Sequence, residues 1–176
     1  MLELIKKSKK EKSLIAIKAK YNYEALFFYT IDSNEDFYFG VEEFDFRLDG
    51  YQIGLMKDFE DLEIVNNFSS QINIKEGLIE QIKPYNINLE SFQTIFQDLQ
   101  SLNNIISIER EYYDDDYFFL IGKIIKADED SLWFRDFDIN GNWNKEINII
   151  PYDEITTIRF NSHYINTWEK YIKEEE

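Results

Sequence analysis

The chain has 176 residues, 44% of them hydrophobic, with 15 Phe, 12 Tyr and 3 Trp against only 6 Gly and 2 Pro. This is enough apolar material for one ordinary domain or two small ones, and it favours short aromatic-rich strands over disorder. Cysteine is absent, which excludes a disulfide framework, a thiol nucleophile and a thiolate metal site, and fits a reducing compartment.

The net charge of −16 is unevenly spread: residues 1–20 carry +5 and the rest −21. An acidic body repels phosphate backbones, whose binding draws on Lys and Arg neutralising several phosphates, so a basic protein is the expected partner and nucleic acid a poor one. No segment approaches the roughly 20 apolar residues of a membrane span, and no signal-like apolar run follows the early lysines. The expectation is a soluble cytoplasmic protein without membrane contact.

In chain order, Leu2 to Lys10 is a short helical segment, and Leu14 to Ile17 opens a first strand. Leu26 to Ile31 reads as a second and Phe37 to Phe46 as a third. Asp49-Gly50 suits a hairpin turn whose central residues need positive φ, after which Tyr51 to Met56 returns and Leu62 to Val65 is a fifth strand. A helix is predicted over Ser70 to Lys83, ended by Pro84. Phe92, Ile95, Phe96, Leu99 and Leu102 fall at helical spacing with Asn88 as a cap. Strands follow at Ile105 to Arg110, Tyr117 to Ile125, Ser131 to Phe137, Trp143 to Ile149 and Ile155 to Phe160, with a turn at Asn140-Gly141. A last helix carries Ile165, Trp168 and Ile172, capped by Ser162.

An offset of 91 positions pairs Ile15 with Ile106, Ile17 with Ile108, Phe28 with Phe119, Phe46 with Phe137 and Gly50 with Gly141. A further shift of two aligns Phe59-Glu60-Asp61-Leu62 with Tyr152-Asp153-Glu154-Ile155. Strand and turn residues coinciding in one register argue for an internal duplication. The expected fold is mainly β with accompanying helices (α+β), as two tandem five-stranded barrels occupying residues 1–84 and 85–176.

Asp45-Phe46-Arg47-Leu48-Asp49-Gly50, Asp136-Phe137-Asp138-Ile139-Asn140-Gly141 and Ile150-Pro151-Tyr152-Asp153-Glu154-Ile155 carry a resemblance to the Sm-like and SH3-like small barrels. The chain is also similar to bacterial proteins built from duplicated barrels of this kind. The Sm resemblance implies RNA binding and ring assembly, although the family's RNA-contacting Asp and Asn loop residues find no match here.

Asp136, Asp138, Asn140, Asn142 and Asn144 stand at calcium-loop spacing around Gly141, but the twelfth position is Ile147 and the first repeat has Arg47 where a ligand belongs. A hairpin turn explains the glycine in both repeats. The acidic clusters at Asp32 to Asp36, Glu42-Glu43, Asp58 to Glu63 and Asp128 to Asp130 lie at strand ends, and nothing selects a catalytic pair among them. His163, the single histidine, reads as an exposed residue entering the last helix. The early lysines read as a solvated end that pairs with acidic residues. No phosphate-binding glycine pattern exists. No catalytic, cofactor-binding or metal-binding residue is therefore assigned, and no cofactor is expected. The candidate interaction residues are Tyr112, Tyr113, Asp114, Asp115, Asp116 and Trp143, because aromatic residues beside charge anchor protein interfaces. The leading expectation is a non-enzymatic acidic interaction module, such as an immunity- or antitoxin-like inhibitor of a basic protein. The alternative is an RNA-associated Sm-like barrel protein.

Overall fold

The computed structural model describes residues 1–102, 105–112 and 117–173. The fold is α+β and mainly β, and the chain divides into two compact units, Met1–Tyr85 and Asn86–Glu176. Among the described residues no helix is long and apolar enough to cross a membrane.

The first unit runs α1 (Leu2–Glu11), β1 (Leu14–Ala19), β2 (Leu26–Ser33), β3 (Phe37–Phe44), β4 (Arg47–Leu55), a 3-10 turn at Met56–Asp58, β5 (Phe59–Ile64) and α2 (Phe68–Lys75). Its strands pair antiparallel in the order β5-β1-β2-β3-β4. β1 is buried along almost its whole length, with Ile15 wholly enclosed, because it is flanked by β2 and β5. α1 contributes Ile5 to the core, while its buried Ser8 hydroxyl bonds the Ile5 carbonyl and lies 2.7 Å from the Thr30 hydroxyl. Tyr38 forms the centre of the core, edge-to-face with Phe28 and Phe59 at 5.8 and 5.7 Å. Its ring folds back over Gly40, where a Cβ would lie 2.2 Å from the phenol oxygen.

The second unit runs α3 (Phe92–Ser101), β6 (Ile106–Arg110), β7 (Phe118–Ala127), β8 (Ser131–Asp136), β9 (Asn148–Pro151), a 3-10 turn at Tyr152–Glu154, β10 (Thr157–Phe160) and α4 (His163–Tyr171). Its strands pair antiparallel in the order β10-β6-β7-β8-β9 around Phe96, Leu99, Phe134 and Phe160. Phe92 and Phe96 stack on Tyr152 at 5.2 and 5.8 Å. The Tyr152 hydroxyl donates to the Asp128 carbonyl, and its pKa is pushed up to about 12 by burial and by the charges of Asp128 and Asp130.

The order of elements is the same in each unit, but the single offset of 91 does not survive strand pairing. Ile15 faces Phe28 and its counterpart Ile106 faces Gly122, so Phe28 corresponds to Gly122 and not to Phe119. Phe28 is buried and Phe119 exposed, so the repeated Phe-Phe dipeptide was a coincidence of composition. Likewise Ile17 faces Leu62 and Ile108 faces Ile158, which aligns the turn Tyr152–Glu154 with Met56–Asp58 and not with Phe59–Asp61. Loops of different length separate strands whose pairing, not their spacing, determines the match.

The first hairpin also departs from expectation. The turn between β3 and β4 is Asp45-Phe46, at φ 49° and 63°, closed by the Phe44–Arg47 pair. Asp49-Gly50 lies inside β4, where Val41 faces Tyr51 but Glu43 faces Leu48, so one extra residue bulges from β4. The positive φ of Gly50 serves that bulge. In the second unit the turn is Asp138 to Gly141, with the Gly141 N–H donating to the Asp138 carbonyl at 2.9 Å. The strand expected from Trp143 shrinks to an isolated Phe137–Trp143 bridge, and β9 begins only at Asn148.

Two helix boundaries move for capping reasons. α2 starts after Asn67, whose side chain accepts the Ser70 N–H, and stops at Gly77, which takes φ 68°. The Leu78 N–H then returns to the Asn73 carbonyl and the Gly77 N–H to the Ile74 carbonyl, a paired termination that ends the predicted long helix early. α3 is capped by Ser91, not Asn88, through a reciprocal pairing of Ser91 with Thr94.

Candidate functional site

A groove of about 320 Å³ lies in the first unit, at the end where β2 begins and β3 turns into β4. Strand alternation builds it. Phe28 points into the core and its neighbour Phe27 points out, 40% exposed. β3 is apolar and buried through Val41, then changes to Glu42, Glu43 and exposed Phe44. Phe27 is paired across the strands with Glu43, which puts ring and carboxylate side by side. Leu14, Leu26 and Val65 supply apolar lining, and Asn67 and Ser69 at the start of α2 line it too.

The turn residues complete the groove. Phe46 adopts a left-handed conformation that bulky side chains rarely take, and its ring is 47% exposed. Glu43 Oε1 accepts the Phe46 N–H at 2.8 Å and so fixes the turn. Glu24, Glu42, Glu43 and Asp45 are among the residues that line the cavity. The guanidinium of Arg47 stands 5.6 Å from the centroid of the Phe44 ring. An exposed phenyl ring offers a cation its negative face, and acidic residues nearby add a field that concentrates positive charge.

A second cavity of about 380 Å³ lies among α1, Val65 and α2, lined by Lys7, Glu11, Tyr29, Ser70 and Ile74. Below it the chemistry is unusual. Asn73 on α2 is fully buried, and neither atom of its amide has a hydrogen-bond partner. The Tyr29 hydroxyl is close enough for the amide to ease its ionisation, although the pair falls outside hydrogen-bonding geometry; burial dominates and raises the Tyr29 pKa.

Of the residues singled out from sequence, Trp143 is half-buried. Its indole N–H donates to the Lys173 carbonyl at 3.0 Å, its ring meets Phe137 edge-on, and Lys123 lies 5.0 Å over its face. It packs on a satellite cluster of Ile105, Ile121, Phe137 and Ile165, together with Trp168 and Ile172. Tyr112 is half-buried just after β6, while Tyr113, Asp114, Asp115 and Asp116 lie outside the described residues. The calcium-spaced residues serve the turn: Asp138 Oδ1 accepts the N–H groups of Asn140 and Asn142, both at 2.9 Å. Among the described residues no cluster of three or more His, Asp or Glu is arranged to hold a metal ion. His163 is exposed at the first position of α4. Lys9 pairs with Asp32 at 2.6 Å, Lys18 with Glu60 at 3.8 Å and Lys20 with buried Asp58 at 3.5 Å.

Sequence reasoning missed the Phe27, Phe44 and Phe46 set. Its signal was present in Glu42-Glu43-Phe44-Asp45-Phe46, where phenyl rings alternate with acids after a buried run has ended. No protein-family model, curated protein or solved structure matches the chain.

Proposed function

We propose that the protein is a non-enzymatic interaction module that binds a basic protein, as an immunity- or antitoxin-like inhibitor of such a partner would, and that its two units are small barrels of the Sm-like or SH3-like kind. The observation carrying this reading is the groove of the first unit, where exposed Phe27, Phe44 and Phe46 stand among Glu24, Glu42, Glu43 and Asp45. Its lining offers phenyl rings, carboxylates and aliphatic surface, the combination that desolvates and orients a cationic partner. The −21 carried by residues 21–176 adds long-range attraction, which raises the encounter rate with a basic protein and falls with salt.

The test is capture at low salt from the native cells by the tagged chain and by a Glu42→Lys, Glu43→Lys variant, with bound proteins and nucleic acids identified separately. A basic protein retained in stoichiometric amount by the parent, released by salt and lost with the variant supports the reading. Retention of RNA alone transfers the function to the RNA-associated alternative, with the lysines of α1 as the contact. Retention of the same protein by parent and variant removes the groove from the binding surface.

A further inference from the structure

Resting on the groove as the partner site, we propose that its occupant is an amphipathic helix of the partner protein, seated there as α4 is seated in the second unit. The two units use the same sheet face differently. Strand pairing matches Leu14 with Ile105, Phe27 with Ile121 and Glu43 with Phe137, all on the face turned away from Ile15 and Ile106. In the second unit this face is closed. Ile105, Ile121 and Phe137 are 2, 7 and 6% exposed, packed with Ile165, Trp168 and Ile172 of α4 and its C-terminal cap. In the first unit, α2 offers Ser70 and Asn73 where α4 has Ile165 and Trp168, and Phe27 is left 40% exposed. The start of α2 contributes only Asn67 and Ser69 to the groove, while Ser70, Gln71 and Ile74 line the other cavity. The groove is thus the uncovered counterpart of the α4 seat.

The second unit also shows what such a face accepts. α4 covers it with an apolar stripe at i, i+3 and i+7, in which Trp168 meets the Phe137 ring at 5.3 Å. Phe27, Leu14, Val65 and the turn residue Phe46 present apolar surface of the same kind. A helix docks on such a surface by inserting its stripe while its axis stays outside, so a groove of about 320 Å³ need hold only the anchoring side chains. The chain's own α4 is already committed, with Ile165 only 2% exposed. A second copy would have to unseat that helix first, so a separate protein is the source. The lining includes exposed Glu24 and Asp45 and no Lys, Arg or His, which favours basic over acidic residues beside the partner's stripe.

The experiment measures fluorescence anisotropy of a labelled peptide of residues 162–173 against the full chain at low salt. The peptide is held helical by a lactam from Lys170 to an Asn166→Glu substitution, two positions on the side opposite the stripe. Expected is saturable binding, weakened about 10-fold by Trp168→Ala in the peptide. Glu169→Lys in the peptide should tighten it about 3-fold, a gain that added salt removes. In the full chain, Phe27→Asp should weaken binding about 10-fold and Phe46→Gly about 3-fold. Both residues are exposed, thermal melts confirm that the variants fold, and either one suffices. Binding indifferent to both places the peptide elsewhere, as by exchange with α4, and overturns the proposal. So does equal binding by a peptide of the same composition with the stripe scrambled. Self-association of the parent chain that Phe27→Asp abolishes assigns the groove to a second copy and overturns the partner helix. A Glu169→Lys peptide that binds no tighter overturns the preference for a basic helix. If the peptide does not bind yet capture of a basic partner still depends on Glu42 and Glu43, the helix inference fails and the interaction reading stands; if capture is also indifferent to them, both fail.

Discussion

The carboxylate of Glu43 accepts the backbone N–H of Phe46 at 2.8 Å, across a turn in which Asp45 and Phe46 both have positive φ. The bond stabilises a conformation that the Phe46 side chain opposes. A left-handed backbone costs a residue with a Cβ about 1–2 kcal/mol, and glycine is free of that cost. Phe46→Gly should therefore raise stability by about 0.5–1 kcal/mol, part of the gain being offset by lost contact of a half-exposed ring. Urea unfolding checks this outcome. A lower denaturation midpoint in Phe46→Gly would show that ring contacts outweigh the backbone strain.

Asn73 is the clearest polar liability in the first unit, with an enclosed amide that satisfies neither its donor nor its acceptor. Capping places Asn67 of α2 and Ser162 of α4 in equivalent roles, each accepting the N–H three residues on. By that alignment Ser70 and Asn73 stand where the second unit has buried Ile165 and half-buried Trp168. An apolar side chain of matching volume removes the desolvation cost of an unpaired amide, so Asn73→Leu should stabilise the protein by about 1–3 kcal/mol. Loss of stability in chemical denaturation would mean that the amide has a polar partner that the fold requires.

Asp138 offers a pH-dependent test of the second hairpin. Its carboxylate is held below the ordinary Asp range, first by the Asn142 side-chain amide and then by the N–H groups of Asn142 and Asn140. With the folded pKa depressed, the turn has its full support above the unfolded value, near 3.9, and loses it as pH falls through the folded value below that. The amide proton shifts of Asn140 and Asn142 should follow one titration with a midpoint under the usual carboxylate range. In Asp138→Asn, which keeps an acceptor but cannot ionise there, that titration should vanish. Persistence of the same midpoint in the variant would assign it to another acid.

The main elements were legible because they rest on local pattern. The apolar runs from Leu14, Ile105 and Tyr117 became β1, β6 and β7, and the helical spacing of Ile95, Phe96 and Leu99 became the buried face of α3. Ser162 was readable as a cap for the same reason. The first turn was hidden because Asp45-Phe46 violates local preference while Asp49-Gly50 satisfies it; tertiary pairing used that glycine for a bulge. The groove was hidden in consequence. Which of Phe27 and Phe28 faces solvent depends on the pairing register of β2, and one residue of slip exchanges them. α2 was obscured by its reversed polarity, with Phe68 and Ile74 exposed and Ser70 and Asn73 buried.

Trp143 joins the second hairpin to the segment that follows α4. Its indole N–H donates to the Lys173 carbonyl, the Lys173 N–H donates to the Gly141 carbonyl at 3.2 Å, and the Lys173 ammonium reaches the Asn142 side chain. Gly141 supplies the φ of 74° that this turn requires, while the space beside it would hold a Cβ in ordinary contact with the Ile172 backbone at 3.5 Å. Trp143→Phe retains ring contact with Phe137 but removes the donor, leaving the Lys173 carbonyl without that bond. The expected loss is about 0.5–1.5 kcal/mol, the usual net value of one hydrogen bond. Because the donor holds one local segment, the loss should be concentrated there: hydrogen exchange at the Lys173 amide should quicken more than at amides in β6 or β7. Equal quickening throughout the unit would mean that Trp143 acts through general packing of the satellite cluster and that the bond to Lys173 contributes little.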